Sequence, residues 1–222
     1  MTDTPKLQIE VSDCRMSVTI ERADKRNALS RAILSEIQVA FSKHAADETI
    51  RMATLTGAGD KCFAAGGDLR DLQSVRTFEE ARLMAEQAKQ ALDAIRNFPV
   101  PVVALLNGDA LGGGAELAMA CDFRLAAAHA RIGFLQGRLN ISSAWGGGID
   151  LFQTLGRARA LFLLGTCEMV DGDRALELGL IEAMADEGRD LTTLADEFLA
   201  RHDVLNLERA FDDIAGTKHG DG

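Results

Sequence analysis

The chain has 222 residues, 47% of them hydrophobic and 26% charged, which is long and apolar enough to bury one substantial core and too apolar for disorder. Its formal charge of −10 opposes a nucleic-acid backbone, and its apolar stretches are too often broken by Gly, Pro and charge to span a bilayer, so neither nucleic acid nor membrane is an expected partner. Residues 1–6 lack the basic-to-apolar transition of a secretory signal, and Cys14, Cys62, Cys121 and Cys167 form no C-x-x-C pair; they read as small buried hydrophobes of a reducing cytoplasm, with no metal site.

Residues 7–11 and 16–20 alternate apolar and polar around Ser12-Asp13, the pattern of a hairpin. Ser30 then stands as N-cap before Ile33, Leu34, Ile37 and Phe41 at helical spacing, up to about Ala45. A strand at 51–56 and an amphipathic helix over 77–97 repeat the pattern, with Leu83, Ala88, Leu92 and Ile95 inward and Pro99 and Pro101 as the stop. A third strand, 102–106, leads through Gly112-Gly113-Gly114 into a helix ending near Cys121, and 123–126 reads as a fourth strand. Strand and helix alternate, so the expected class is α/β. Beyond Gly133 the pattern is helical over 148–155, 159–164, 173–178, 189–201 and 205–214, around a short strand at 180–183, and the polar tail 216–222 is expected to fray. No low-complexity linker divides the chain. The expected organisation is a core domain of residues 1–186 and a short helical C-terminal region, 187–222.

Two glycine-rich turns carry the chemistry. In Lys61-Cys62-Phe63-Ala64-Ala65-Gly66-Gly67-Asp68-Leu69, two glycines after a strand let the backbone approach a ligand closely, and the residues that follow can open a helix whose first N–H groups have no partner. A tight turn with Asp68 as cap is the plainer alternative. In Asn107-Gly108-Asp109-Ala110-Leu111-Gly112-Gly113-Gly114-Ala115-Glu116-Leu117, three consecutive glycines at a strand-to-helix junction are entropically costly, so close packing or ligand approach must require them. Glu116 lies in the first turn of that helix, either as a dipole partner or as a general acid/base facing a ligand. Other patterns fail on spacing. Gly57-x-Gly59 meets Cys62, and Gly112-x-Gly114 meets Leu117, where a third glycine is needed; there is no Gly-Lys-Ser/Thr and no Gly-x-Ser-x-Gly, and His44, His129, His202 and His219 occupy no motif.

Taken together these residues resemble the crotonase, or enoyl-CoA hydratase/isomerase, superfamily. The resemblance runs over residues 18–183 and rests on the loop Arg22-Ala23-Asp24-Lys25-Arg26-Asn27-Ala28-Leu29, on 63–69, on 101–123 and on Trp145-Gly146-Gly147 before a helix. It implies a crotonase-like spiral of repeated β-β-α units with a short C-terminal helical region, assembled as a homotrimer or dimer of trimers. It also implies an acyl-CoA thioester enzyme with coenzyme A as part of the substrate and no tightly bound cofactor. By the same resemblance the oxyanion-hole N–H groups fall on Gly67 and Gly113. Coenzyme A runs along Arg22, Ala23, Lys25, Ala28 and Ala65, and Asp68, Leu69 and Arg70 line the acyl entrance.

Glu116 matches the first of two catalytic glutamates of the hydratases, and the second position falls on Gln136. A carboxamide hydrogen-bonds but exchanges no proton usefully near neutral pH. Hydratase-type lyase chemistry is the leading expectation, ahead of an isomerase. Residues 110–117 and 120–125 with Trp145-Gly146-Gly147 also look like the ethylmalonyl-CoA decarboxylase branch, where Arg138 or Gln136 would orient a substrate carboxylate. A non-catalytic CoA-binding member is the third reading, and the joint presence of Gly67, Gly113 and Glu116 weighs against it. Many members continue for several helices past the point where this chain ends.

Overall fold

The computed structural model describes residues 7–201. In chain order the elements are β1 (Leu7–Ser12), β2 (Arg15–Ile20), α1 (Arg31–His44), β3 (Met52–Gly57), β4 (Cys62–Ala64), α2 (Leu69–Leu72), α3 (Phe78–Arg96), β5 (Val102–Leu106), β6 (Asp109–Leu111) and α4 (Gly113–Met119). They continue with β7 (Phe123–Ala126), β8 (Ile132–Gly133), α5 (Gly147–Leu155), α6 (Arg157–Thr166), β9 (Met169–Val170), α7 (Gly172–Leu178), β10 (Ala183–Met184) and α8 (Leu191–Arg201).

The β1–β2 hairpin forms in the expected register, Leu7 opposite Ile20, and turns through Asp13 and Cys14, both with positive φ. Ser30 caps α1 by accepting from the Ile33 N–H. Thr77 and Glu80 close a capping box at the start of α3, satisfying two backbone donors that the first turn would otherwise leave open.

Six strands join in the order β1-β2-β3-β5-β7-β10, parallel except for the opening hairpin. Because side chains alternate across a strand, β5 serves two cores at once. Val102, Ala104 and Leu106 face the main core with Ile33, Ile37, Phe41, Leu92 and Ile95, while Val103 and Leu105 face Leu194, Ala195 and Leu199 of α8 on the other side. Such two-sided burial explains the uninterrupted apolar run of residues 102–106.

A second, smaller sheet has the order β4-β6-β8-β9, its strands only two or three residues long. The first three are parallel. Their C-terminal ends therefore point the same way and deliver three segments side by side: Ala65-Gly66-Gly67 after β4, Gly112 and α4 after β6, and the 3-10 turn Leu135–Leu139 after β8. Outside the carboxyl ends of parallel strands is where α/β sheets present their sites.

Some expectations need correction. Leu83 is 48% exposed rather than inward, since the apolar stripe of α3 begins only at Ala88. Cys14 is exposed in the hairpin turn, whereas Cys62, Cys121 and Cys167 are buried. The strand expected at 180–183 pairs only as Ala183–Met184, Leu180 and Ile181 being buried in the connection after α7. The helix expected over 205–214 and the tail 216–222 lie outside the described residues. Among the described residues no helix is long and apolar enough to cross a membrane.

Candidate active site

The turn after β4 is built on Gly66, whose φ of +93° only glycine adopts without strain. Leu29 forms an isolated parallel bridge with Gly67: the Leu29 N–H donates to the Gly66 carbonyl at 2.8 Å and the Asp68 N–H to the Leu29 carbonyl at 3.0 Å. A parallel bridge alternates sides, so the N–H of Gly67 itself points away from Leu29. Gly113 is the first residue of α4, where the N–H has no intrahelical partner. Neither N–H has an acceptor among the described residues.

The two turns touch. A Cβ added at Gly66 would lie 2.9 Å from the Leu111 carbonyl oxygen and 3.2 Å from the Gly113 nitrogen. Gly114 is needed for packing, because a Cβ there would sit 2.6 Å from the Ala64 carbonyl carbon and closer still to its oxygen. At Gly113 a Cβ would overlap the indole of Trp145, 2.6 Å from Cη2 and 2.9 Å from Cε3. The same ring stands 3.8 Å from a Cβ built on Gly67.

The Arg22–Ala28 loop is locked onto the β4 turn. Arg22, buried, pairs with Asp68 at 2.9 Å and donates to the Ala28 carbonyl, and the Ala65 N–H donates to the Arg26 carbonyl at 3.0 Å. Burial works against the Asp68 charge, but the Arg22 guanidinium and the Arg70 N–H outweigh it and hold its carboxyl below the usual range. Asp68 also caps α2. Arg22 therefore spends its charge inside the protein, while Ala23 is exposed and Lys25 and Ala28 are half-exposed along the rim. Leu69 and Arg70 stand outside, Leu69 being 64% exposed. Asn27 is the organiser of this loop that the sequence does not single out. It accepts from the Arg22 N–H and donates to the carbonyls of Ala58 and Cys62, in a left-handed conformation that Asn tolerates.

Glu116 is buried, and four donors converge on its carboxylate. Oε2 accepts from Ser143 Oγ at 2.7 Å, from the Trp145 N–H at 3.0 Å and from the Gly147 N–H at 3.0 Å. Among the described residues Oε1 accepts only from Gln136 Nε2, at 2.7 Å. Three donors saturate Oε2, so Oε1 keeps a lone pair for a ligand. The other end of Gln136, its Oε1, is buried without a partner among the described residues. Gly147 must be glycine because a Cβ would lie 2.5 Å from Cβ and Cγ of Glu116. Gln136 and Ser143 also border an open groove of about 620 Å³ with Phe134, Gly146 and Leu164. Arg138, offered as an alternative carboxylate guide, is exposed and donates to the Cys167 carbonyl instead. Burial pushes the Cys62 and Cys121 thiols up, which suits inert packing.

The sequence does not single out Ser143 or Arg96, and Gly147 enters there only within the Trp145-Gly146-Gly147 motif. At the end of α3, Arg96 donates to Asp150 at 2.7 Å, to Asp93 at 2.7 Å and to the Trp145 carbonyl at 3.1 Å, clamping the turn whose N–H groups hold Glu116. In sequence it is an ordinary cation in a last helical turn. Arg96→Met leaves the half-buried Asp150 without its cation and the Trp145 carbonyl without its donor, and is expected to lower stability by about 2 kcal/mol. An unchanged urea midpoint would contradict the clamp.

The Enoyl-CoA hydratase/isomerase family profile matches residues 12–203. A probable enoyl-CoA hydratase of Bacillus subtilis (strain 168) is 36% identical over 175 residues, covering 79% of this chain and 67% of the relative. A crotonyl-CoA hydratase of Syntrophomonas wolfei is 37% identical over 162 residues, 73% of this chain and 62% of that protein. The chain thus spans about two thirds of the length of these curated relatives. The crystal structure of an enoyl-CoA hydratase from Bacillus anthracis superposes with a TM-score of 0.87 at 30% identity, covering 97% of this chain and 84% of the other. The chain belongs to the enoyl-CoA hydratase/isomerase family, a crotonase-fold member of that superfamily of acyl-CoA enzymes.

Proposed function

We propose that the protein adds water to a 2-enoyl-CoA thioester, or removes it in reverse, with Glu116 as the only proton-transferring side chain. What supports this reading is that the turns carrying the Gly67 and Gly113 N–H groups touch, that neither N–H has an acceptor among the described residues, and that the buried Glu116, in the helix Gly113 opens, has one carboxylate oxygen with a single donor. Water gives a proton to Glu116 Oε1 as its oxygen bonds to the β-carbon of the substrate. The π electrons move onto the thioester oxygen, which accepts from Gly67 and Gly113. As that enolate collapses, its α-carbon takes the proton back from Glu116 and the net change is one water added. Preorganised donors suit the enolate oxygen because the charge develops there, and loss of one such donor costs roughly 10²–10³ in rate.

In this account Gln136 holds Glu116 through Nε2 and offers Oε1 to a hydrogen of the attacking water. Both acceptors then orient the water with its lone pairs toward the substrate. Coenzyme A runs along Arg22, Ala23, Lys25, Ala28 and Ala65, with Asp68, Leu69 and Arg70 at the acyl entrance. Of these, Arg22 contributes by holding the loop rather than by meeting a phosphate. We place the protein in the cytoplasm as a homotrimer or a dimer of trimers, without a tightly bound cofactor.

A second carboxylate beside Glu116 would share one proton with it and add an acid that a carboxamide lacks. Gln136→Glu is therefore expected to raise crotonyl-CoA hydration about tenfold or more, with a changed pH profile. No gain in a correctly folded variant removes the role assigned to Gln136.

A further inference from the structure

We propose that Trp145 is the wall of the acyl site and restricts the enzyme to short acyl groups. The inference rests on the reading of Gly67 and Gly113 as thioester donors, and it goes beyond it to substrate class. Three contacts locate the ring. Its six-membered part covers Gly113 so closely that no Cβ fits there. The same part lies 3.8 Å from where a Cβ on Gly67 would stand, and Leu72 Cδ1 lies 3.4 Å from that point. The backbone of Trp145 is pinned at both ends, its N–H to Glu116 Oε2 at 3.0 Å and its carbonyl to Arg96 at 3.1 Å.

An acyl group whose carbonyl oxygen accepts from Gly67 and Gly113, and whose α- and β-carbons reach Glu116, must pass along this indole. Trp145 is buried, 9% exposed as a residue, and held on a clamped turn, so its ring does not yield space cheaply. A short enoyl group packs on its face. A longer one meets it as an obstruction.

The chain contains a single tryptophan, so intrinsic emission reports on this ring alone. The test has two arms on the full-length protein. In the first, wild-type emission is titrated with coenzyme A and with crotonyl-CoA; the acyl thioester is expected to shift or quench it saturably, well beyond coenzyme A. In the second, kcat/KM is measured for crotonyl-, hexenoyl-, octenoyl- and decenoyl-CoA with wild type, Trp145→Phe and Trp145→Ala. The decenoyl-to-crotonyl ratio is expected to rise at least tenfold in Trp145→Ala and to an intermediate value in Trp145→Phe. The phenylalanine variant and the wild-type titration carry the test where removal of the whole indole prevents folding. Parallel length profiles in folded variants, or emission that answers coenzyme A as it answers crotonyl-CoA, overturn the proposal. Emission that responds to the acyl group without product from any thioester supports the wall and removes the hydration reading instead.

Discussion

Glu116→Gln is expected to lower turnover on crotonyl-CoA by about 10³-fold while leaving thioester affinity nearly unchanged. The expectation comes from hydrogen-bond capacity. The carboxamide oxygen can keep the place of Oε2 and accept from Ser143, Trp145 and Gly147, so the turn at 143–147 stays anchored. The amide nitrogen then takes the place of Oε1, where it opposes Gln136 Nε2. A flip of the Gln136 carboxamide resolves the conflict by presenting its otherwise unpartnered Oε1. The variant is thus expected to fold with a stability change under about 1 kcal/mol, and to lose only the group that moves a proton. Glu116→Ala differs, because it leaves four converging donors unmatched in a buried site. Turnover unchanged in Glu116→Gln would remove the acid/base role and return the residue to a structural anchor.

Gly114→Ala carries the largest expected effect on stability. The added methyl would overlap the Ala64 carbonyl, a backbone group on β4 that has no rotamer to adopt. The strand and helix must separate, at a cost of about 3 kcal/mol or more. That separation also moves Gly67 away from Gly113, so residual folded protein should turn over poorly. Gly165→Ala is the matched control: it lies in α6 with nothing within 4 Å of the added atom. Alanine there is expected to stabilise by roughly 0.5–1 kcal/mol through helix propensity alone. Urea unfolding of both variants checks the pair. Equal midpoints would show that α4 does not depend on contact with β4.

The elements that sequence reasoning reached are those with a strong local signal. The hairpin at 7–20, the Ser30 cap, the apolar stripe Ala88-Leu92-Ile95 and the run 102–106 each carry period, cap or composition sufficient for assignment. The second sheet was not legible, because strands such as Cys62–Ala64 and Ile132–Gly133 are too short to display any period. That loss mattered, since those strands aim the site segments. The glycine turns leave close packing and ligand approach both open in sequence, and only three dimensions show which glycine packs against what: Gly114 against Ala64, Gly113 under Trp145 and Gly147 against Glu116. Likewise Glu116 could be read from its position in a helical first turn as dipole partner or catalyst. What separates the two is the asymmetry of its oxygens, one saturated by three donors and the other held by Gln136, across residues 20 to 31 positions away in the chain.

Family membership leaves the reaction to the surroundings of Glu116, and product mass distinguishes the possibilities in one experiment. The purified protein is incubated separately with enoyl-, 3-hydroxyacyl- and alkylmalonyl-CoA thioesters, and the products are read by mass spectrometry. Crotonyl-CoA is expected to gain the mass of one water and 3-hydroxybutyryl-CoA to lose it, and both changes are expected all but to vanish in Glu116→Gln. Loss of carbon dioxide from an alkylmalonyl-CoA without any hydration, or binding of every thioester with no change in mass, would contradict the hydration reading.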